Sequence, residues 1–284
     1  MNVHMHLSTL AAAVVLAVPG GTAPGAETVL AFSAEAGGNT DVYVAALDGS
    51  RLRRLTTSPG ADFDPSWSPD HRHVAYRCQV GTSSDICVVG VAGGGAVNLT
   101  QTRGDEWSPA WSPDGDWIAF YSDRADRGSV WVMRPDGSEA HRLVPAAEYP
   151  SWSPDGSRIA YADMRTRDIA VVGADGREKR LLARSAAYDM SPSFSPGGRA
   201  IVFDSQRAFR RVHEFGIGPE FEIFRVGVNG KSVRRLTRNR AEDRFPDYGP
   251  DGRIVFSRGG ALWIANGDGT HKRRLPLNGT FPDW

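Results

Sequence analysis

The sequence predicts an all-β protein: a six-bladed β-propeller of four-stranded blades, its ring closed by a C-terminal strand that completes the N-terminal blade. Three observations lead there. A motif of the form P-x-W-S-P-D-G recurs at near-regular spacing, β-forming runs separated by turn residues follow its copies, and the two chain ends supply complementary fragments of one unit.

The aromatic of the motif recurs as Trp67, Trp111, Trp152, Phe194, Tyr248 and Trp284, at intervals of 44, 41, 42, 54 and 36 residues. A proline stands two places before each: Pro65, Pro109, Pro150, Pro192, Pro246 and Pro282. Five copies continue into a turn, as SPDH, SPDG, SPDG, SPGG and GPDG. Proline presets φ for such a turn, and glycine accepts the positive φ that closes a hairpin.

After each turn comes an apolar, β-branched or aromatic run (HVAYRC, WIAFYS, RIAYAD, AIVFDS, RIVFSR), and then a second (DICVVG, SVWVM, DIAVVG, EIFRVG, ALWIAN). A further turn such as RPDG or GADG leads to a third run such as AHRLV or VRRLT. Each unit therefore reads as a four-stranded meander of roughly 40 residues, the size of a propeller blade. The chain enters with VLAFSA (29–34), which matches a second strand, and stops at FPDW (281–284), which matches a first strand. Joined in one blade, they leave no open edge. An open solenoid is the structural alternative, but its ends would need caps and would not complement each other.

The pattern D-x-x-P-x-W-S-P-D-G-x-x-I-A-F, followed by a D-G turn and R-L-T, resembles the repeat of TolB-like propellers, also called WD40-like or PD40 repeats. The resemblance covers 29–284. It implies a single propeller domain over 27–284 and a partner in the cell envelope. TolB carries a further N-terminal α/β domain for which this sequence has no room, which sets its transport role apart.

Lys+Arg and Asp+Glu both number 33, so the chain is neutral overall. It lacks the basic excess of a nucleic-acid binder. Residues 7–18 (LSTLAAAVVLAV) are too short to span a bilayer comfortably and suit the apolar region of a secretory signal over 1–26, with a disordered tail as the alternative. An exported protein, periplasmic or extracellular, is expected, monomeric and with no transmembrane segment once the signal is removed. Cys78 and Cys87 fit an oxidising compartment. A hairpin centred between Thr82 and Ser83 sets them opposite each other, as a cross-strand disulfide or as two half-buried thiols. Asn98 and Asn278 open N-x-T sequons, which matter only in a host that glycosylates.

In a meander, the turns joining strands one–two and three–four share one face, and the longer loops share the other. The S-P-D-G turns therefore belong to an architectural face, and function is expected on the loop-rich one. There the segment 205–222 is about ten residues longer than its counterparts. It interleaves Arg207, Arg210, Arg211 and His213 with Phe209, Phe215 and Phe221, residue types favoured at binding hot spots. The other reading is a loop that tucks its phenylalanines onto its own blade. Asp62, Asp105, Glu148, Asp189 and Asp243 stand four to six places before their aromatics and form a candidate acidic ring at the channel, able to attract a hard cation. Turn capping or pairing with a neighbouring blade's arginine is the favoured reading, and no metal or cofactor is assigned. No G-x-S-x-G or H-E-x-x-H motif occurs, and the histidines are scattered. The expectation is a non-catalytic scaffold for a protein or peptide. An envelope glycan lyase or hydrolase, or a small-ligand sensor using the channel mouth, are the alternatives.

Overall fold

A computed structural model describes residues 29–125, 128–207 and 221–284. The expected signal segment 1–26 lies outside them. Among the described residues no helix is long and apolar enough to cross a membrane.

Six four-stranded antiparallel sheets make the ring. Blade one contains β1 (Val29–Ala36), β2 (Asn39–Ala46) and β3 (Arg53–Arg54). Blade two has β4 (Asp62–Trp67), β5 (His73–Val80), β6 (Ser83–Gly90) and β7 (Val97–Asn98). Blade three has β8 (Glu106–Trp111), β9 (Ile118–Ser122), β10 (Ser129–Met133) and β11 (His141–Pro145). Blade four has β12 (Ala147–Trp152), β13 (Arg158–Asp163), β14 (Asp168–Gly173) and β15 (Arg180–Ala183). Blade five has β16 (Asp189–Phe194), β17 (Ala200–Ser205), β18 (Glu222–Gly227) and β19 (Arg234–Arg235). Blade six has β20 (Asp243–Tyr248), β21 (Ile254–Arg258), β22 (Ala261–Ala265) and β23 (Arg273–Asn278). The last strand, β24 (Thr280–Asp283), pairs with β1, Ala31 opposite Asp283 and Ser33 opposite Thr280. Blade one is thus built from both ends of the chain, as its sequence fragments predict.

The core is divided among the blade interfaces. Each apolar cluster joins two adjacent blades: Val42, Val44, Val74 and Tyr76 between blades one and two, for example, and Ile201, Phe203, Ile169 and Val171 between four and five. The middle strands are buried on both faces, which explains runs without polar alternation. The outermost strands carry exposed Arg53, Arg54, Arg142, Arg180, Arg234, Arg273 and Arg274. Charge on these edges opposes strand addition by another chain.

The S-P-D-G turns work through their serine. Ser112 Oγ donates to Asp114 Oδ1 (2.5 Å) and accepts from the Trp117 amide (2.9 Å), while Asp114 Oδ1 accepts from the Asp116 amide (3.0 Å). Ser153 and Asp155 repeat the arrangement, and these donors hold the Asp155 carboxyl down at about 2. The turns also meet between blades: a Cβ on Gly115 would lie 3.3 Å from Pro69, and one on Gly156 would lie 3.5 Å from Pro113.

The blade-two hairpin differs from its expected register. Val80 pairs with Ser83 around a two-residue turn, with Gly81 at φ 61°. Cys78 therefore faces Asp85, and Cys87 faces Tyr76. The cysteines are diagonal neighbours on one face of the sheet rather than directly opposite, and they are bridged, with Cα atoms 5.8 Å apart. Closing so short a loop stabilises by about 2–3 kcal/mol in the chain-entropy picture. Cys78→Ser/Cys87→Ser, or reduction, is therefore expected to lower Tm by several degrees. An unchanged melting curve on adding reductant would remove the bridge from the stability of the fold.

Candidate functional site

The innermost strands explain the proline of the motif. The residue before each proline has a left-handed backbone: Asp64 (φ 51°), Ser108 (48°), Tyr149 (52°), Ser191 (48°), Phe245 (52°) and Phe281 (49°). The register to the second strand shifts at the same place in each blade. This is a β-bulge on an edge strand, one of the few places in a sheet where proline fits.

The bulge re-aims the following residues towards the next blade. Ser66 Oγ accepts from the Trp111 amide (3.3 Å), Ser193 Oγ from the Tyr248 amide (3.1 Å), Asp247 Oδ2 from the Trp284 amide (3.0 Å), and Asp283 Oδ2 from the Trp67 amide (2.7 Å). The Trp152 indole N–H donates to the Ala110 carbonyl (3.1 Å). The residue between proline and aromatic thus stitches successive blades around the axis.

Within this collar lies a cavity of about 350 Å³. Its wall is the six prolines and six aromatics of the motif, and Pro69, His71, Pro113 and Pro154 form its rim on the S-P-D-G side. Tyr149, Phe245 and Phe281 bound it towards the loop-rich end, where Phe245 and Phe281 stack at 3.8 Å and Trp107 meets Tyr149 at 4.9 Å. The cup opens on the face that sequence reasoning treats as architectural. It holds three carboxylates, Asp64, Asp247 and Asp283, and among the described residues no lysine or arginine lines it. Burial pushes Asp64 and Asp247 up to about 6, and burial together with Asp247 raises Asp283 well above the usual carboxylate range.

None of the five carboxylates expected at the channel lines this cup. Asp62, Asp189 and Asp243 begin their strands fully or almost fully buried, turned to their own blade. Asp189 pairs with Arg207 and accepts from Ser205 Oγ (2.5 Å), and Asp243 pairs with Arg258 (2.5 Å). Asp62 accepts from Ser58 Oγ (2.9 Å). In blade three the equivalent position belongs to Glu106, buried and paired with Arg124 (3.2 Å), while Asp105 is exposed and accepts from the Ser84 amide (2.9 Å). In blade four it belongs to Ala147. The neighbouring Glu148 is half-buried, pushed up to about 7 by burial and by Asp204. The paired arginines belong to the same blade, where a neighbouring blade's was expected.

Of the loop residues, Phe209, Arg210, Arg211, His213 and Phe215 lie outside the described residues. The two at its base face inward. Arg207, its side chain 15% exposed, is held by Asp189 and packs over Phe203 (5.1 Å) and Phe224 (5.4 Å). Phe221 is buried beneath Arg244, which stacks on it at 3.7 Å and reaches Asp204 on the adjacent blade (2.6 Å). Beside the loop, however, Tyr188 is 43% exposed with Arg167 stacked over its ring at 4.4 Å, and its carbonyl accepts from the Gln206 amide (3.0 Å). Met164, 41% exposed, lies in a loop on the same face. Tyr188 escaped sequence reasoning because one tyrosine in a polar connection carries no periodic signal.

The family model for the TolB beta propeller domain matches residues 74–215, half of the chain. The Tol-Pal system protein TolB of Anaeromyxobacter sp. (strain K) is 34% identical over 183 residues, which cover 58% of this chain and 39% of that protein. The chain thus spans about two fifths of that curated relative. The crystal structure of TolB from Acinetobacter baumannii superposes with a TM-score of 0.74 at 19% identity, over 90% of this chain and 66% of that one. An oligogalacturonate lyase in complex with manganese has the same architecture, with a TM-score of 0.59 at 15% identity over 87% of this chain and 73% of that one, a likeness of fold alone. Repeat, ring and family model agree, and the chain belongs to the TolB β-propeller domain family.

Proposed function

We propose that the protein is an exported, non-catalytic scaffold that binds a protein or peptide of the cell envelope on its loop-rich face beside blade five. The observation that carries this reading is Tyr188, exposed, backed by Arg167 and anchored to the base of the long loop. A rigid aromatic with an arginine partner is the composition of an interface anchor, and a closed ring beneath it lowers the ordering cost of association. The relatives named for the Tol-Pal system support an envelope partner. The Cys78–Cys87 bridge and the apolar segment 7–18 support export as a mature chain of 27–284.

The test is affinity capture from envelope extract with three proteins: the mature chain, Tyr188→Ala, and a chain lacking 208–216. That deletion spares Arg207 and its ion pair. A protein retained by the first and lost at least tenfold from both others is the expected result. Capture of the same set by all three, at equal recovery, would place the contact elsewhere.

A further inference from the structure

The neutral net charge of the chain conceals a division between inside and outside. At the loop-rich end of blades five and six the acids turn inward: Asp189, Asp204, Glu222 and Asp243 are buried and held by Arg207, Arg244, Arg235 and Arg258. The outward positions fall to arginine. Arg165 and Arg167 in the β13–β14 turn, Arg184 in the connection from blade four to five, and Arg238 and Arg240 in that from five to six are all exposed. Among the described residues no ion pair engages any of the five, and Glu242 is the one exposed acid in these connections.

The backbone holds them as one surface. The Asp189 amide donates to the Arg167 carbonyl (3.0 Å) and the Ser185 amide to Asp168 Oδ1 (2.7 Å), which fixes Arg184 beside the turn. At the other end of the long loop the Asp243 amide donates to the Phe221 carbonyl (2.9 Å). Asn239, between Arg238 and Arg240, donates its amide to Glu222 Oε1 (2.9 Å) and accepts from the Ala241 amide through Oδ1 (2.8 Å). Tyr188 and Met164 stand exposed among these arginines. The other half of the same face has the opposite sign. There, among the described residues, Glu35, Asp105 and Asp123 are exposed against Arg103.

We propose that the partner on this face contributes an acidic peptide segment, its carboxylates paired with these five arginines and an apolar side chain set against Tyr188 and Met164. The inference rests on the partner face proposed above and adds the chemistry of what binds there. Guanidinium groups take carboxylates through two parallel N–H bonds, a more directional contact than an ammonium gives, and the basic positions of this arc are all arginine. Tyrosine and methionine beside them add apolar contact area to the charge. The division of charge selects a peptide over an anionic lipid surface. A membrane lying flat on the loop-rich face would meet Glu35, Asp105 and Asp123 as well as the arginines, and half of the face would repel it. A peptide segment can follow the basic arc alone.

Fluorescence anisotropy with the disulfide-bonded mature protein at pH 7.5 tests this. The probe is a labelled peptide of four Glu-Glu-Phe repeats, and its Gln-Gln-Phe counterpart is the neutral control. Saturable binding of the acidic probe is expected, about tenfold tighter than that of the neutral one and weakened about tenfold between 50 and 300 mM salt. Arg184→Glu and Arg240→Glu, both exposed and outside the buried ion pairs, should each lower the affinity roughly fivefold or more, and Arg177→Glu in the β14–β15 turn of the opposite face should not. Melting curves establish that the variants fold, and either reversal alone suffices. Equal binding of the two probes, or an affinity that both reversals leave unchanged, would overturn the proposal. So would binding to phosphatidylglycerol vesicles without binding to the acidic probe. Repeating the envelope capture with the double reversal separates this inference from the broader reading. A protein lost from Tyr188→Ala but kept by the double reversal leaves the partner face standing and removes its acidic partner. Probe binding with no captured protein does the opposite.

Discussion

Arg207→Ala is expected to destabilise the protein by about 2 kcal/mol at pH 7.5, because the stranded Asp189 carboxyl, at about 6 with the guanidinium in place, can take up a proton instead of remaining an unpaired charge. The size follows from what stays behind. Asp189 is 1% exposed, and without the guanidinium its one remaining hydrogen-bond donor among the described residues is Ser205 Oγ. Even with Arg207 in place, burial outweighs the ion pair and pushes Asp189 up to about 6. The sign for pH follows. A carboxyl raised in the folded state takes away no stability below its unfolded value near 4, and takes away the full amount above its folded value. In the variant the folded value rises further, so the loss is expected to be small at pH 4.5–5 and to grow towards pH 8. Denaturant unfolding at both ends of that range checks it. A loss independent of pH would mean that Arg207 acts by packing on Phe203 and Phe224 and not through its charge. A variant as stable as the parent would return Arg207 to the role its sequence suggests, a surface contact for a partner.

That reversal illustrates what the sequence could and could not carry. Blade number, strand order and ring closure were legible because they depend on spacing and on which runs are apolar, and these survive small errors of register. Facing was not legible in the inner strands. Its place at the entry of the innermost strand assigns Asp62 to the channel, but facing depends on the phase of the strand, and the bulge at Asp64–Pro65 breaks that phase. The channel then receives Asp64, while Asp62 turns to its own blade. The proline was the available clue, since an inner strand that contains one is an edge or a bulge. The same one-residue sensitivity displaced the cysteines, because a turn centred one residue earlier exchanges opposite for diagonal partners. At 205–222 composition alone drew attention to arginine and phenylalanine. Composition does not distinguish an arginine aimed at a partner from one that closes a buried carboxylate, as Arg124 and Arg258 also do.

Gly249 and Trp284 are expected to behave as a single unit. Blade six alone writes its turn as GPDG where other blades have serine, and the reason lies at the far end of the chain. A Cβ at 249 would sit 2.2 Å from Trp284 Cε3 and 2.4 Å from Cδ2, inside the ring. The glycine is required by closeness and not by backbone conformation, and the serine's turn hydrogen bonds are given up to let the closing strand seat its indole. Gly249→Ala should therefore cost about 1–3 kcal/mol through overpacking. Trp284→Ala should cost about 3 kcal/mol, since the ring packs against the apolar cluster between blades six and one and carries Arg253 on its face. In the double variant the clash has nothing to act on, so its loss should match that of Trp284→Ala alone, a coupling of about 1–3 kcal/mol. Additive losses would show that the last strand does not hold its indole against the turn, and that the ring is closed by the Ala31–Asp283 and Ser33–Thr280 pairing alone.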